Sequence, residues 1–236
     1  MKRTRSDVTR CLSFGMNSEV QERGFTIITG ILEKAECEEL LSTLGPISGA
    51  GRRGLLGTPA VALLANSTRL VKFVELHLQS EPRPVRAVYF DKSSTKNWLV
   101  SWHQDLTLAL RDRHEVPGFG PWSVKEGIPH VQPPIELLEQ MLTIRLHLDD
   151  ADESNGALRV LPGSHRRGRL SAAQIREFRS QLSEVVCKAS AGDALLMRPL
   201  LLHASGRSFT PRHRRILHIE YAAFTLPKEL QWHEAA

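Results

Sequence analysis

From Pro84 onward the chain breaks into short apolar runs separated by Gly, Pro and Asn, and this punctuation restricts the fold more than any other feature. Val85–Phe90, Leu99–Trp102, Leu106–Leu110, Met141–Leu148, Leu158–Leu161, Ala194–Met197 and Arg215–Ala223 all read as strands, and only Ser171–Gln181 interrupts them with helical spacing. Alternating βαβ units would need a helix between successive strands, so the pattern excludes them. The N-terminal third is different. Phe25-Thr26-Ile27-Ile28 reads as one strand, followed by a helix over Glu33–Leu44 with Cys37, Leu40, Leu41 and Leu44 at helical spacing. Ser67–Leu78 reads as another helix, with Ser67 as N-cap and Leu70, Val71, Val74 and Leu78 on one face. Helices gathered ahead of many short strands predict a mainly β fold with flanking helices. Its form is a double-sheet β-roll core at about 84–223, buttressed by a helical region at about 17–80, in one domain spanning residues 1–236.

Hydrophobic residues at 41% and charged residues at 24% exclude a disordered tail or fibrous repeat. The formal net charge of +5 suits anionic small molecules and nucleic acid equally. Cys11, Cys37 and Cys187 are widely spaced with no C-x-x-C pair, which points to a reducing compartment. The basic start Met1–Arg5 is followed by no continuous apolar run, so a cytoplasmic protein without a membrane span is expected.

Gly49-Ala50-Gly51-Arg52-Arg53-Gly54 matches the dinucleotide fingerprint in form only. That fingerprint needs glycines that follow a strand and open a helix. Here they follow the Glu33–Leu44 helix and precede a turn at Thr58-Pro59, which predicts a flexible loop with Arg52 and Arg53 as solvated charge. The stretch Arg111–Pro134, rich in Gly and Pro yet containing Phe119, Trp122 and Val124, reads as a long loop covering a site.

The chemistry lies in Trp102-His103-Gln104-Asp105. An H-x-D pair on a strand turns imidazole and carboxylate to one face, where both reach one cation. With ten His and 26 acids about one H-x-[DE] is expected by chance, and the chain has three: His103/Asp105, His147/Asp149 and His218/Glu220. Their positions separate them. His147 leads into the acidic turn Asp149–Gly156, and His218/Glu220 comes too late for a third ligand to follow. His103/Asp105 leaves several strands in which the roll can return His203 to the same place. Two imidazoles and one carboxylate on one face of an octahedron suit iron(II), whereas zinc favours a more closed tetrahedral set. After His203 and Ser205 the chain re-enters an apolar strand through Arg214, and a guanidinium there is costly unless it meets an anion. A dicarboxylate chelating the metal with its other end would supply one.

Trp102-His103-Gln104-Asp105, Asn155-Gly156-Ala157-Leu158, Leu161-Pro162-Gly163-Ser164-His165, and His203-Ala204-Ser205 with Arg214 eleven positions after that His together resemble the phytanoyl-CoA dioxygenase family. The resemblance runs from about Glu19 to Tyr221. It implies a double-stranded β-helix (jelly-roll, cupin-like) core, and an Fe(II)- and 2-oxoglutarate-dependent dioxygenase that consumes O2, releases succinate and CO2, and uses ascorbate as a reductant. It implies His103, Asp105 and His203 as iron ligands. Arg214 and Ser205 would then bind the distal carboxylate of the cosubstrate. The ligand carboxylate Asp105 implies hydroxylation of a small molecule, because halogenating relatives replace it by a small residue. Relatives place a cosubstrate contact near Lys92, and Arg145 stands where some carry an aromatic.

Along Met141–Leu148 the apolar Leu142, Ile144, Leu146 and Leu148 alternate with Thr143, Arg145 and His147. In a roll packed on helices the polar set faces the cavity. Thr143 is therefore a candidate cosubstrate contact and Arg145 a candidate contact to substrate or cosubstrate; Lys92 is a second candidate cosubstrate contact by the family resemblance, and Gln104 and Trp122 are candidate substrate contacts. The His165-Arg166-Arg167 run reads as a basic surface turn. Two other functions fit the same residues: a cupin-like metalloenzyme that does not use 2-oxoglutarate, and a basic nucleic-acid-binding module built on Arg166, Arg167, Arg169, Arg212, Arg214 and Arg215. No recognisable nucleic-acid motif supports the second.

Overall fold

The structure, a computed structural model, describes residues 18–234. Cys11 and the basic start at Met1–Arg5 lie outside that range. In chain order the elements are β1 (Phe25–Ile28), α1 (Lys34–Leu44), β2 (Gly51–Arg52), α2 (Pro59–Ala65), α3 (Thr68–Leu78), β3 (Arg83–Lys92) and β4 (Val100–His103). They continue as β5 (Leu108–Ala109), β6 (Trp122–Lys125), β7 (Ile128–Val131), α4 (Ile135–Glu139), β8 (Met141–His147), β9 (Leu158–Val160) and α5 (Ala172–Gln181). The chain finishes with β10 (Val185–Val186), β11 (Ala194–Met197), β12 (His203–Ser205) and β13 (Arg214–Ala222).

The strands assemble into a six-stranded sheet, β1-β11-β8-β13-β3-β2, a four-stranded sheet, β10-β9-β12-β4, and a three-stranded sheet, β5-β7-β6. Their pairings are antiparallel. Strand alternation sends Leu142, Ile144 and Leu146 of β8 and Leu217, Ile219 and Tyr221 of β13 to the outer face of the large sheet. There they pack with Leu40 and Leu44 of α1 and Leu70 and Val74 of α3. The helical buttress is thus fixed by apolar burial. Tyr221 extends the contact by donating from its hydroxyl to the carbonyl of Ala65 at 2.8 Å. Phe25, Leu195 and Met197 of the large sheet and Leu158 and Val160 of the four-stranded sheet form a separate apolar cluster.

The helix signals act as read. Ser67 accepts from the Leu70 amide, and Ser171 and Gln174 form a capping box on α5. Three expectations are corrected, and one strand is added. Pro59 opens the helix α2 instead of sitting in a turn, because proline is well suited to a first helical turn. Gly51 and Arg52 form β2 against Phe90 and Tyr89, so the glycine-rich segment is an edge strand. The Arg111–Pro134 stretch contains the hairpin β6–β7, which pairs onto β5. His203–Ser205 is itself a strand, between β9 and β4. Among the described residues no helix is long and apolar enough to cross a membrane, and Cys37 and Cys187 are free and buried.

Candidate metal centre

The site lies where the inner face of the large sheet meets β4 and β12. Register places His203 of β12 opposite His103, the last residue of β4. Their rings lie 4.1 Å apart between centroids. Asp105 falls just beyond β4, its amide donating to the Pro199 carbonyl at 2.9 Å. The H-x-D pair therefore does not sit on one strand, as the sequence pattern suggests, but across a strand end.

The trio still converges. One carboxylate oxygen of Asp105 is 3.7 Å from His103 Nε2 and the other 3.7 Å from His203 Nε2. Among the described residues, these three form the group of acids, imidazoles and thiols that could share a metal, one atom of each within 4.8 Å of the others. Each imidazole is pre-set. His103 Nδ1 donates to the Ser101 carbonyl and His203 Nδ1 to the Leu201 carbonyl, both at 2.8 Å, which leaves both Nε2 lone pairs facing the carboxylate. Burial pushes His203 down to about 4 against the pull of Asp105, so it is neutral at physiological pH. Burial raises the Asp105 carboxyl, but His203, His103, His218 and Arg86 outweigh it and hold it at about 2. Two imidazole nitrogens and one carboxylate fit a divalent transition metal, and the half-exposed His103 and Asp105 leave an open side toward a cavity of about 350 Å³.

The register of β3, β13 and β8 then gathers charge inside: Arg86, Arg145, Arg214, His218 and Glu220 border the cavity, while Lys92 does not border it and reaches Ser205, which does. Lys92 lies opposite Arg214, Arg86 opposite Glu220, and His218 opposite Arg145. Arg214 is buried, with Nε donating to the Asn155 carbonyl and Nη2 to Ser205 Oγ, each at 3.3 Å, while its Nη1 has no partner. Lys92, 1% exposed, donates to Ser205 Oγ at 2.8 Å and to the Gly206 carbonyl at 2.6 Å. Burial first, then Arg214 and Arg145, pushes its ammonium down to about 7. Burial and then Arg145 push Arg214 down to about 9. No carboxylate among the described residues pairs with either cation. Ser205 passes its own proton to the Gly156 carbonyl at 3.0 Å, and so acts as an acceptor that aligns both cations. Gly156 is needed there: its φ is +74°, and a Cβ would lie 2.5 Å from the Gly206 carbonyl oxygen.

The remaining sequence candidates divide. Arg145 borders the cavity. Thr143, two residues away on the same face of β8 and opposite Glu220, is buried and does not border it. Trp122 also stands apart. It packs with Leu108, Leu110 and Trp232, and strand alternation sends Lys125 of β6 to the cavity instead. Gln104 borders the cavity, yet its amide is fully engaged: Nε2 donates to the Gly168 and Leu200 carbonyls at 2.8 and 2.7 Å, and Oε1 accepts from the Leu170 amide at 2.8 Å. Gln104→Ala should therefore lower stability by about 2 kcal/mol, because it strands buried backbone partners. Denaturant unfolding at unchanged m checks this, and a shift near zero would contradict it.

Sequence reasoning set aside His218 and Glu220 as a chance pair, yet both border the cavity. The alternation of Arg214, His218 and Glu220 on one strand face was the available signal. The basic cluster Arg212–Arg215 is not a free face. Arg212 pairs with Asp152 at 3.1 Å, Arg215 with Asp149 at 2.7 Å, and Arg214 is buried. Arg53, expected to be solvated, pairs with Glu126 at the cavity edge.

Among solved structures, EctD from S. alaskensis with 2-oxoglutarate and 5-hydroxyectoine superposes with a TM-score of 0.70 at 18% identity, covering 93% of this chain and 82% of that one. The epimerase SnoN from nogalamycin biosynthesis, in complex with Fe3+, alpha ketoglutarate and nogalamycin RO, gives 0.69 at 18% identity, covering 90% and 84%. The carbocyclase SnoK of the same biosynthesis gives 0.67 at 16%, covering 94% and 87%. These likenesses establish the fold as the double-stranded β-helix. A search of curated proteins found no match. Residues 20–216 match the model of Phytanoyl-CoA dioxygenase (PhyH), and with that span and the converging His103, Asp105 and His203 the chain belongs to the phytanoyl-CoA dioxygenase family.

Proposed function

We propose that the protein is an Fe(II)- and 2-oxoglutarate-dependent oxygenase that hydroxylates a C–H bond of a small molecule. The observation that carries this reading is a metal-competent His103–Asp105–His203 trio sharing its cavity with Arg214, a buried guanidinium that no acid among the described residues neutralises. A catalytic metal alone would leave that cation unexplained. A small diacid spanning the two accounts for both, and this favours 2-oxoglutarate chemistry over a cupin-type enzyme without it.

His103 and His203 would hold iron through Nε2 and Asp105 through its carboxylate. Ferrous iron there supplies dioxygen reduction coupled to decarboxylation of 2-oxoglutarate, giving succinate and CO2 and oxidising the substrate. The chain's own contribution is placement. The Ser101 and Leu201 carbonyls fix the ring orientations, Asp105 offsets one metal charge, and Arg214 with Lys92, aligned by Ser205, grips the distal carboxylate. Phe90 and Trp98 line the same cavity and limit water around the cations.

Anaerobic addition of Fe(II) and 2-oxoglutarate should give a weak visible charge-transfer band that is absent from His103→Ala. A native protein without the band would refute the proposal. The finer assignment is read from the product across a metabolite panel: hydroxylation adds one oxygen, whereas an epimerisation of the kind named for SnoN leaves the mass unchanged.

Lys92 gives a pH signature. In the free protein its ammonium, held near 7, loses its proton as pH rises, and the bound dianion restores it. At saturating iron, 2-oxoglutarate affinity should therefore fall between about pH 6 and 8.5, by up to about tenfold per unit above 7. Lys92→Met should flatten this profile. A pH-independent Kd in the native protein would remove Lys92 from the diacid site.

A further inference from the structure

Arg145 is the second buried guanidinium in the cavity, and the diacid does not account for it. Its side chain is 7% exposed overall, Nη1 donates to His218 Nδ1 at 2.9 Å, and Nε has no partner. Among the described residues no acid pairs with it. The hydrogen-bond chain beyond it does not supply a counter-charge. His218 accepts from Arg145 at Nδ1, so it turns its other nitrogen to Glu220 Oε1 at 3.4 Å, and that same oxygen already takes Arg86 Nη1 at 2.8 Å. Glu220 is neutralised by Arg86, and a neutral imidazole separates it from Arg145.

The rest of the cavity points the same way. Arg53 is neutralised by Glu126. Lys125, an exposed residue of β6, borders the cavity, and among the described residues its ammonium meets the Thr107 hydroxyl, at 3.0 Å. With metal, Asp105 and the diacid in place, and Arg214 and Lys92 on the distal carboxylate, no negative charge is left over. Arg145 and Lys125 remain as uncompensated cations bordering the substrate space. Burying a guanidinium without an anion is strongly unfavourable, and the planar donor fork of arginine pairs with carboxylate or phosphate oxygens. Val88, Val100, Leu106 and Leu158 supply apolar wall to the same cavity.

We propose that Arg145, with Lys125 across the cavity, forms an anion subsite that selects substrates carrying a carboxylate or phosphate on an apolar body. This rests on the proposed placement of 2-oxoglutarate against Arg214, and it names the substrate class of that same site.

The test uses four probes on one six-carbon chain: hexanoate, hexyl phosphate, hexanamide and hexylamine. Each is titrated calorimetrically and anaerobically into protein saturated with Fe(II) and 2-oxoglutarate. At least one anion should bind at least about tenfold tighter than the amide, and the better anion identifies the head group. In Arg145→Gln that preference should fall below about threefold, and Arg145→Lys should restore part of it. The 2-oxoglutarate titration of the visible band should shift by less than about threefold in Arg145→Gln. Equal binding of anions and amide to native protein would overturn the inference, and this comparison needs no variant to fold. Loss of diacid affinity in Arg145→Gln with the anion preference retained would overturn it too, by assigning Arg145 to the cosubstrate. A native protein lacking the visible band would instead sink the iron and 2-oxoglutarate reading beneath it, an outcome distinct from a normal band without anion preference.

Discussion

Asp105→Ala should weaken Fe(II) binding by two orders of magnitude or more while the metal-free protein still folds cooperatively. Loss of groups that merely orient a ligand typically costs about 10- to 100-fold in metal affinity, so loss of a ligand itself belongs at or beyond the top of that range. The carboxylate is also the only anion in the trio, and without it a dication would sit against two imidazoles with no anionic ligand. The second half of the prediction separates a ligand from a structural group. Apart from the two imidazoles at 3.7 Å, the carboxylate makes no hydrogen bond to the described residues, and its side chain is 35% exposed. Anaerobic dialysis with iron quantification reads the first effect, and thermal unfolding of metal-free protein reads the second. Unchanged iron affinity would contradict the assignment of Asp105.

Arg214→Gln should raise the 2-oxoglutarate Kd by about 30-fold or more, with Fe(II) affinity unchanged. Truncating one side of a buried, hydrogen-bonded charge pair costs about 2–5 kcal/mol, because the partner is left desolvated and unpaired. Glutamine keeps a donor near Ser205 but removes the charge and the fork. Ser205→Ala should cost less, within about tenfold, since the hydroxyl orders Arg214 and Lys92 and already gives its proton to Gly156. A variant pair in which Ser205→Ala costs more than Arg214→Gln would contradict this division of roles. Both effects are read from titration of the visible band, independent of any substrate.

Much of the site was legible because few residue types can serve it. A carboxylate and two imidazoles at distant points of a β-rich chain, and an arginine entering an apolar strand, are costly unless they meet something, and that cost marks them in the sequence. The large sheet was legible for a similar reason: β8 alternates from Leu142 onward, and only one register buries its apolar set against α1 and α3. What escaped was short or depended on tertiary context. Two-residue strands such as β2 and β10 have no period to detect. The hairpin β6–β7 hides in a Gly- and Pro-rich stretch, so the side chain that reaches the cavity from it is Lys125 and not the more conspicuous Trp122. Gln104 looked like a contact because it neighbours two ligands, but its amide ties three backbone groups together. His218 and Glu220 resembled chance because the sequence does not show that β13 lies beside β8, with His218 opposite Arg145.

The most direct measurement is an anaerobic crystal structure with Fe(II) and 2-oxoglutarate, located by the anomalous signal of iron. It should show one iron within about 2.0–2.2 Å of His103 Nε2, His203 Nε2 and an Asp105 oxygen, with the far carboxylate of the diacid against Arg214. Iron bound elsewhere, or a diacid whose free end points away from Arg214, would contradict the account.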